Sequence, residues 1–160
     1  MTIKVGDKLP EGKFTVMGPG GPMSATTDEV FRGKKVVLFA VPGAFTPTCS
    51  EAHLPGFVGN ADDILAKGVA TIACTAVNDV FVLNAWSKAR GAEKIMMLAD
   101  GNADFAKKLG LEIDLAGFGL GTRSKRYAMI ADDGVVKYLA VEDSPPQHEK
   151  ATAEKLLQAL

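Results

Sequence analysis

Cys49 is one of only two cysteines in 160 residues, and it stands directly after a proline-rich turn that closes an apolar run, in PGAFTPTCS (42–50). If Thr46 is an N-cap, Pro47 takes the first helical position, where its missing donor costs nothing, and Cys49 falls in the first turn. Thr48 and Glu51 also fit the spacing of a capping box, which moves the start by two residues and leaves Cys49 at the same end of the helix. In both registers the sulfur meets unpaired backbone N–H groups and the positive end of the helix dipole, an environment that suits a thiolate nucleophile. Placement alone leaves a second reading open, in which Cys49 is a small buried apolar residue. His53 lies one helical turn on and raises the possibility of a Cys–His nucleophile pair, as in cysteine hydrolases. No third orienting residue or oxyanion loop accompanies it, and its place before Pro55 favours a structural contact.

The elements that must hold this turn are legible on either side of it. KKVVLFAVP (34–42) and GVATIACTAVN (68–78) are short, β-branched, unbroken apolar runs, the pattern of strands covered on both faces. Between them TPTCSEAHLPGFVGNADDILAKG reads as a helical stretch ended by Gly68, with a kink or break expected near His53 and Leu54 because Pro55 removes a backbone donor. Strand, helix, strand is a βαβ unit with parallel strands. DVFVLNAWSKARGA (79–92) reads as a helix, IMMLAD (95–100) as a strand and NADFAKKLG (102–110) as a helix or turn. RYAMIADDGVVKYLAVE is two alternating runs around Asp133-Gly134, a hairpin signal, and EKATAEKLLQAL closes the chain as an amphipathic helix. That element order predicts an α/β, thioredoxin-like fold: a central mixed β-sheet flanked by helices, with an N-terminal extension, in a single domain over residues 1–160.

Composition removes several function classes. A net charge of -1 with 47% hydrophobic residues offers no basic field for nucleic acid. No apolar run approaches the roughly 18 residues that a membrane span requires, and the first residues lack the apolar region of a secretory signal, so the expected compartment is the cytosol. Two cysteines with only His53 and His148 beside them make neither a zinc site nor a disulfide scaffold. Thiol chemistry or inert packing is what remains.

PGAFTPTCS contains Pro42, Thr46 and Cys49 as P-x-x-x-T-x-x-C, which resembles the active-site loop of the peroxiredoxins; with HLPGF (53–57) it is most similar to the type II, or peroxiredoxin-five, group. VGDKLP, GKKVVLFAVPGAFTPTCSEAHLPGF, AVNDVFV, MLAD and KRYAMIADDGVVK follow in the order of that family and cover most of the chain. The resemblance implies a thiol peroxidase that reduces hydrogen peroxide and organic hydroperoxides without metal, heme or flavin cofactor. It makes Cys49 the peroxidatic cysteine, oxidised to a sulfenic acid. Thr46 matches the threonine whose hydroxyl bonds thiolate and peroxide, and Pro42 the proline that shields the sulfur from water. Arg126 matches the arginine that holds the thiolate and orients the substrate, with the N–H groups of Thr48 and Cys49 completing the cradle. Taken by itself, Arg126 reads as a solvated strand-end cation or a member of a surface pair; nearby Arg123 could trade places with it, and Tyr127 decides for Arg126.

Some family members carry a resolving cysteine near the C-terminus; the segment after Val141 has none. Cys74 occupies a position given a resolving role in plant type II relatives, yet its apolar strand neighbours favour inert burial. A one-cysteine cycle is therefore expected, with glutathione, glutaredoxin or thioredoxin as external reductant. The family also implies a homodimer, for which Phe45 and Trp86 are candidates for contact or loop support. Phe45, Leu120 and Phe118 could floor an apolar pocket or belong to the core. Two other classes stay open: a thiol-disulfide oxidoreductase, against which Thr46 stands where a C-x-x-C pair needs its other cysteine, and a redox-regulated binding or holdase protein with IMML and GPM on its surface.

Overall fold

Unbroken apolar strands form where a sheet is covered on both faces, and that is what the central runs do. In the computed structural model, which describes residues 2–160, strands β3 (Lys35–Ala40) and β4 (Thr71–Ala76) pair in parallel, with Phe39 opposite Cys74. Strand β5 (Ile95–Ala99) continues the parallel set beside β4. On the other side of β3 lies β8 (Tyr127–Asp132), antiparallel, followed by β9 (Val135–Val141). Their turn is Asp133-Gly134, with φ of 50° and 77°. Positive φ at both central residues is the type I′ geometry that matches the twist of a tight hairpin.

The N-terminal extension is itself a hairpin, β1 (Lys13–Gly18) and β2 (Gly21–Thr26), which joins β5 through Thr15 opposite Ala99. The result is a seven-stranded mixed sheet in the order β2-β1-β5-β4-β3-β8-β9. A small separate hairpin pairs β6 (Glu112–Asp114) with β7 (Thr122–Ser124). The period-two alternation of side chains divides the core. Val36, Leu38 and Ala40 face one layer, with Phe14, Phe31 and Phe105. Val37, Phe39, Ile72 and Cys74 face the other, with Leu54, Phe57, Ile64, Trp86 and Leu156.

The first of these layers is covered by the short helices α1 (Thr27–Phe31) and α5 (Asp104–Leu109), the second by α2 (Leu54–Gly59), α3 (Ala61–Leu65), α4 (Val80–Ala89) and α6 (Ala153–Gln158). Asp79 caps α4 by accepting from the Val82 N–H at 2.8 Å, and Thr152 caps α6. No helix among the described residues is long and apolar enough to cross a membrane.

Candidate active site

The stretch after β3 is helical from Pro47 onward, its first intrahelical bond running from the Ser50 N–H to the Thr46 carbonyl at 2.9 Å. Thr46 is thus the capping position by backbone, although its hydroxyl donates to the Gly43 carbonyl at 2.6 Å rather than accepting from the helix. The alternative capping box on Thr48 does not form; that hydroxyl donates to the Pro146 carbonyl at 3.3 Å. Over Cys49–His53 the helix widens into a π-turn, with the Leu54 N–H bonded to the Cys49 carbonyl, before α2 resumes. Pro55 explains the irregularity, because it has no N–H to offer the preceding turn. The expected break near His53 and Leu54 is absorbed in this way, and the chain bends away only at Asn60.

Cys49 is completely buried, as is His53, and Arg126 is 2% exposed. Arg126 Nη2 donates to Cys49 Sγ at 3.1 Å. Its Nη1 donates to His53 Nδ1 at 2.9 Å, and Nε and Nη2 both donate to the Pro145 carbonyl, at 3.3 and 3.1 Å. Among the described residues no carboxylate forms an ion pair with this guanidinium. A buried cation without a carboxylate partner is costly, and the groups that face it here are the Pro145 carbonyl, His53 Nδ1 and, at 3.1 Å, the Cys49 sulfur.

The tautomer of His53 follows from its partners. Arginine can only donate, so Nδ1 accepts; Nε2 therefore carries the proton and donates to the Ala151 carbonyl at 2.9 Å. The ring is wedged against Phe39 and Phe57, centroids 5.0 and 5.5 Å away. Burial first, then the charge of Arg126, holds the imidazole well below its usual range and keeps it neutral. The histidine thus steadies the arginine rather than activating the sulfur, and the hydrolase reading loses its base.

The loop ahead of Cys49 is pinned from two sides. The Ala44 N–H donates to Asn78 Oδ1 at 2.9 Å. Arg123 reaches the Pro42 carbonyl from Nη1 at 3.4 Å while Nε holds the Leu120 carbonyl at 2.8 Å. Arg126 and Arg123 therefore have separate places, one at the sulfur and one behind the proline. A Cβ at Gly43 would lie 3.0 Å from Arg123 Nη1 and 3.1 Å from Thr46 Cγ2, so the glycine answers a close approach. Phe45 turns outward at φ 63° and is 52% exposed. Phe118 is also exposed and Leu120 half-buried, so Phe45 and Phe118 are not core.

Trp86 is fully buried and donates from Nε1 to Ser50 Oγ at 2.9 Å. Of the two roles open to it, loop support is the one its burial allows. Cys74 is fully buried on β4, and burial, reinforced by Cys49, pushes its thiol well above the ordinary cysteine range. It forms no disulfide. Met96 and Met97 are half-buried against the core, whereas Met23 is exposed on the β2 edge. Asn78 and Ser50 went unmarked in the sequence, because nothing local distinguishes a polar side chain that pins a loop more than thirty residues away.

A family model described as Redoxin matches residues 4–157. The chain is 49% identical over 164 residues to Peroxiredoxin-2E, chloroplastic, of Arabidopsis thaliana, a match that covers 99% of the chain and 70% of that protein. It is 42% identical to Peroxiredoxin-2C of the same plant, over 99% of the chain and 98% of the relative. Among solved structures it is similar to reduced Prx3 of Vibrio vulnificus in complex with H2O2, with a TM-score of 0.95, 55% identity and coverage of 99% of each chain.

Proposed function

This chain belongs to the redoxin family and is a peroxiredoxin of type II, a thiol peroxidase; on that premise we propose that Cys49 is its peroxidatic cysteine, with Arg126, Thr46 and Pro42 as the groups that serve it. The observation that carries the assignment is the 3.1 Å contact of Arg126 Nη2 with Cys49 Sγ in a buried pocket that gives the guanidinium no carboxylate. The Cys49 thiolate attacks the terminal oxygen of the hydroperoxide, the O–O bond breaks, and sulfur is oxidised by two electrons to the sulfenic acid. The leaving alkoxide or hydroxide takes up a proton as alcohol or water. Negative charge moves from sulfur onto that oxygen, and a rigid fork of donors already aimed at the site stabilises it there without reorganisation. Thr46, its own hydrogen on Gly43, offers its oxygen as an acceptor toward the peroxide O–H. Pro42 is buried and presents no N–H, so it keeps water from the sulfur.

Regeneration uses an external thiol. That thiol attacks the sulfenic sulfur, water leaves, and a second thiol releases Cys49 from the mixed disulfide. Glutathione with glutaredoxin, or thioredoxin, is the reductant class, and the burial and high thiol range of Cys74 support this over an internal resolving step. Hydrogen peroxide and organic hydroperoxides are the substrate range. The cytosol is the compartment assigned to it, and a homodimer its assembly, the latter supported by Phe45, Phe81 and Phe118 standing 52%, 63% and 81% exposed.

Intact mass spectrometry after one equivalent of hydrogen peroxide, with and without a sulfenic-acid trap, tests the cycle in the parent and in Cys49→Ser and Cys74→Ser. A trap adduct that requires Cys49 and survives loss of Cys74 is expected. A Cys49–Cys74 disulfide would overturn the external cycle, and a Cys49 no faster than free cysteine would overturn its assignment.

A further inference from the structure

Arg126 owes its direction to backbone carbonyls of one irregular segment, residues 143–151, which lies between β9 and the cap of α6. The Pro145 carbonyl takes Nε and Nη2, and the Ala151 carbonyl holds His53, which in turn holds Nη1. The Pro146 carbonyl accepts from Thr48, next to Cys49. An irregular strap is only as well placed as whatever fixes it. Its own turn contributes two bonds, the Gln147 N–H to the Ser144 carbonyl and the Ser144 hydroxyl to Gln147 Oε1, both at 3.1 Å, and Lys150 pairs with Asp143 at its exposed edge.

The remaining fixation comes from a single buried side chain. Glu142 is 5% exposed, and its Oε2 accepts three consecutive backbone N–H groups, from Glu149, Lys150 and Ala151, at 2.8, 2.7 and 2.7 Å. Its own N–H donates to the Arg126 carbonyl at 3.0 Å, extending the β8–β9 pairing by one step. The same residue therefore grips the backbone at Arg126 and the far end of the strap that aims the Arg126 side chain. From the carboxylate the contacts run without a gap through Ala151, His53 and Arg126 to the sulfur.

We propose that Glu142 is a positioning residue of the peroxidase site, its carboxylate folding residues 143–151 into the strap whose carbonyls point the Arg126 guanidinium at Cys49. It touches neither sulfur nor peroxide and acts only through the arginine, so the inference rests on the role given to Arg126 above. A displacement of about 1 Å in a positioning group is enough to cost on the order of a hundredfold in rate, so a strap loosened but not lost slows the reaction by about tenfold. A neutral carbonyl oxygen in the same place keeps most of the geometry.

The test is a double-mutant cycle on the second-order rate of Cys49 oxidation by hydrogen peroxide, with Glu142→Ala, Glu142→Gln and Arg126→Lys alone and combined, folding checked by near-UV circular dichroism. Glu142→Ala is expected to react about tenfold slower and Glu142→Gln within about threefold of the parent, and neither should slow the Arg126→Lys protein further. A folded Glu142→Ala that reacts at the parent rate, or losses that multiply fully in the Arg126→Lys background, would overturn the proposal. Should the alanine variant fail to fold, the same cycle is read on Glu142→Gln, where a slowing that multiplies with Arg126→Lys counts against it. If Arg126→Lys alone reacts like the parent, it is the reading of Arg126 that fails.

Discussion

Replacing Arg126 by lysine keeps the positive charge and removes the fork, which separates the two ways the residue could serve the sulfur. In the native site the guanidinium spends its donors on three acceptors in different directions: the Pro145 carbonyl, His53 Nδ1 and Cys49 Sγ. A lysine ammonium carries its three hydrogens on one atom and cannot meet the acceptors reached by Nε, Nη1 and Nη2 together. Hydrogen bonds to charged groups contribute about 1.5–3 kcal/mol each, so losing the one aimed at the sulfur should slow Cys49 oxidation by about ten- to a hundredfold. The constant is measured by competition against a heme peroxidase for limiting hydrogen peroxide, alongside a thermal melt to confirm a folded variant. A lysine protein within about threefold of the parent would mean that charge alone suffices and that the geometry drawn here is idle.

Both histidines give a pH signature. His53 and His148 are held below their usual range, by burial first and then by Arg126, while Glu142 and Glu154 pull His148 the other way. Folded imidazoles that resist protons which the unfolded chain accepts near about pH 6.5 leave stability intact above that value and erode it as pH falls below it. The urea midpoint should therefore be lower at pH 5.5 than at pH 7.5, and an unchanged midpoint would contradict the burial. His148 packs against His53, ring centroids 5.1 Å apart, with Nε2 buried and unpartnered; His148→Phe should leave the melting temperature equal or higher, and a clear loss would reveal a missing partner. Trp86→Phe deletes the bond to Ser50 and strands a hydroxyl in a residue 2% exposed, a cost of about 1–2 kcal/mol in urea titration; no change would mean that Ser50 finds another partner. Cys74 should resist iodoacetamide in the native protein and react on unfolding, and Cys74→Ala should keep turnover with an external thiol.

Much of the fold was written locally. Unbroken apolar runs marked β3, β4 and β5, Asp133-Gly134 marked the β8–β9 hairpin, and Asp79 and Thr152 stand where helices begin. The β1–β2 hairpin was missed, because Pro19, Gly20 and Pro22 break up the alternation that would announce it, and β6 and β7 are three residues each. At the site, Cys49 and Pro47 could be placed from helix-start chemistry alone. Arg126 could not: its bonds to Cys49 and His53 close loops of 77 and 73 residues, and only the family resemblance anticipated the first. Nothing local marks Glu142, since three aligned N–H groups exist only after the chain has returned to meet it.

The π-turn over Cys49–His53 also bears on how the active site answers a change in chain length. An α-helix rotates by about 100° per residue, and a π-turn accommodates about one residue more in a single turn. Removing Ala52, or its neighbour Glu51, would let the helix relax to ordinary winding with no loss of apolar pattern in Leu54–Gly59. Because the extra residue is taken up within one turn, the residues on either side would keep nearly the same facing, and the sulfur would still point toward Arg126. The π-turn thus works as an insertion that the helix absorbs, adding a residue between Cys49 and Leu54 without turning the sulfur away from the wall it faces.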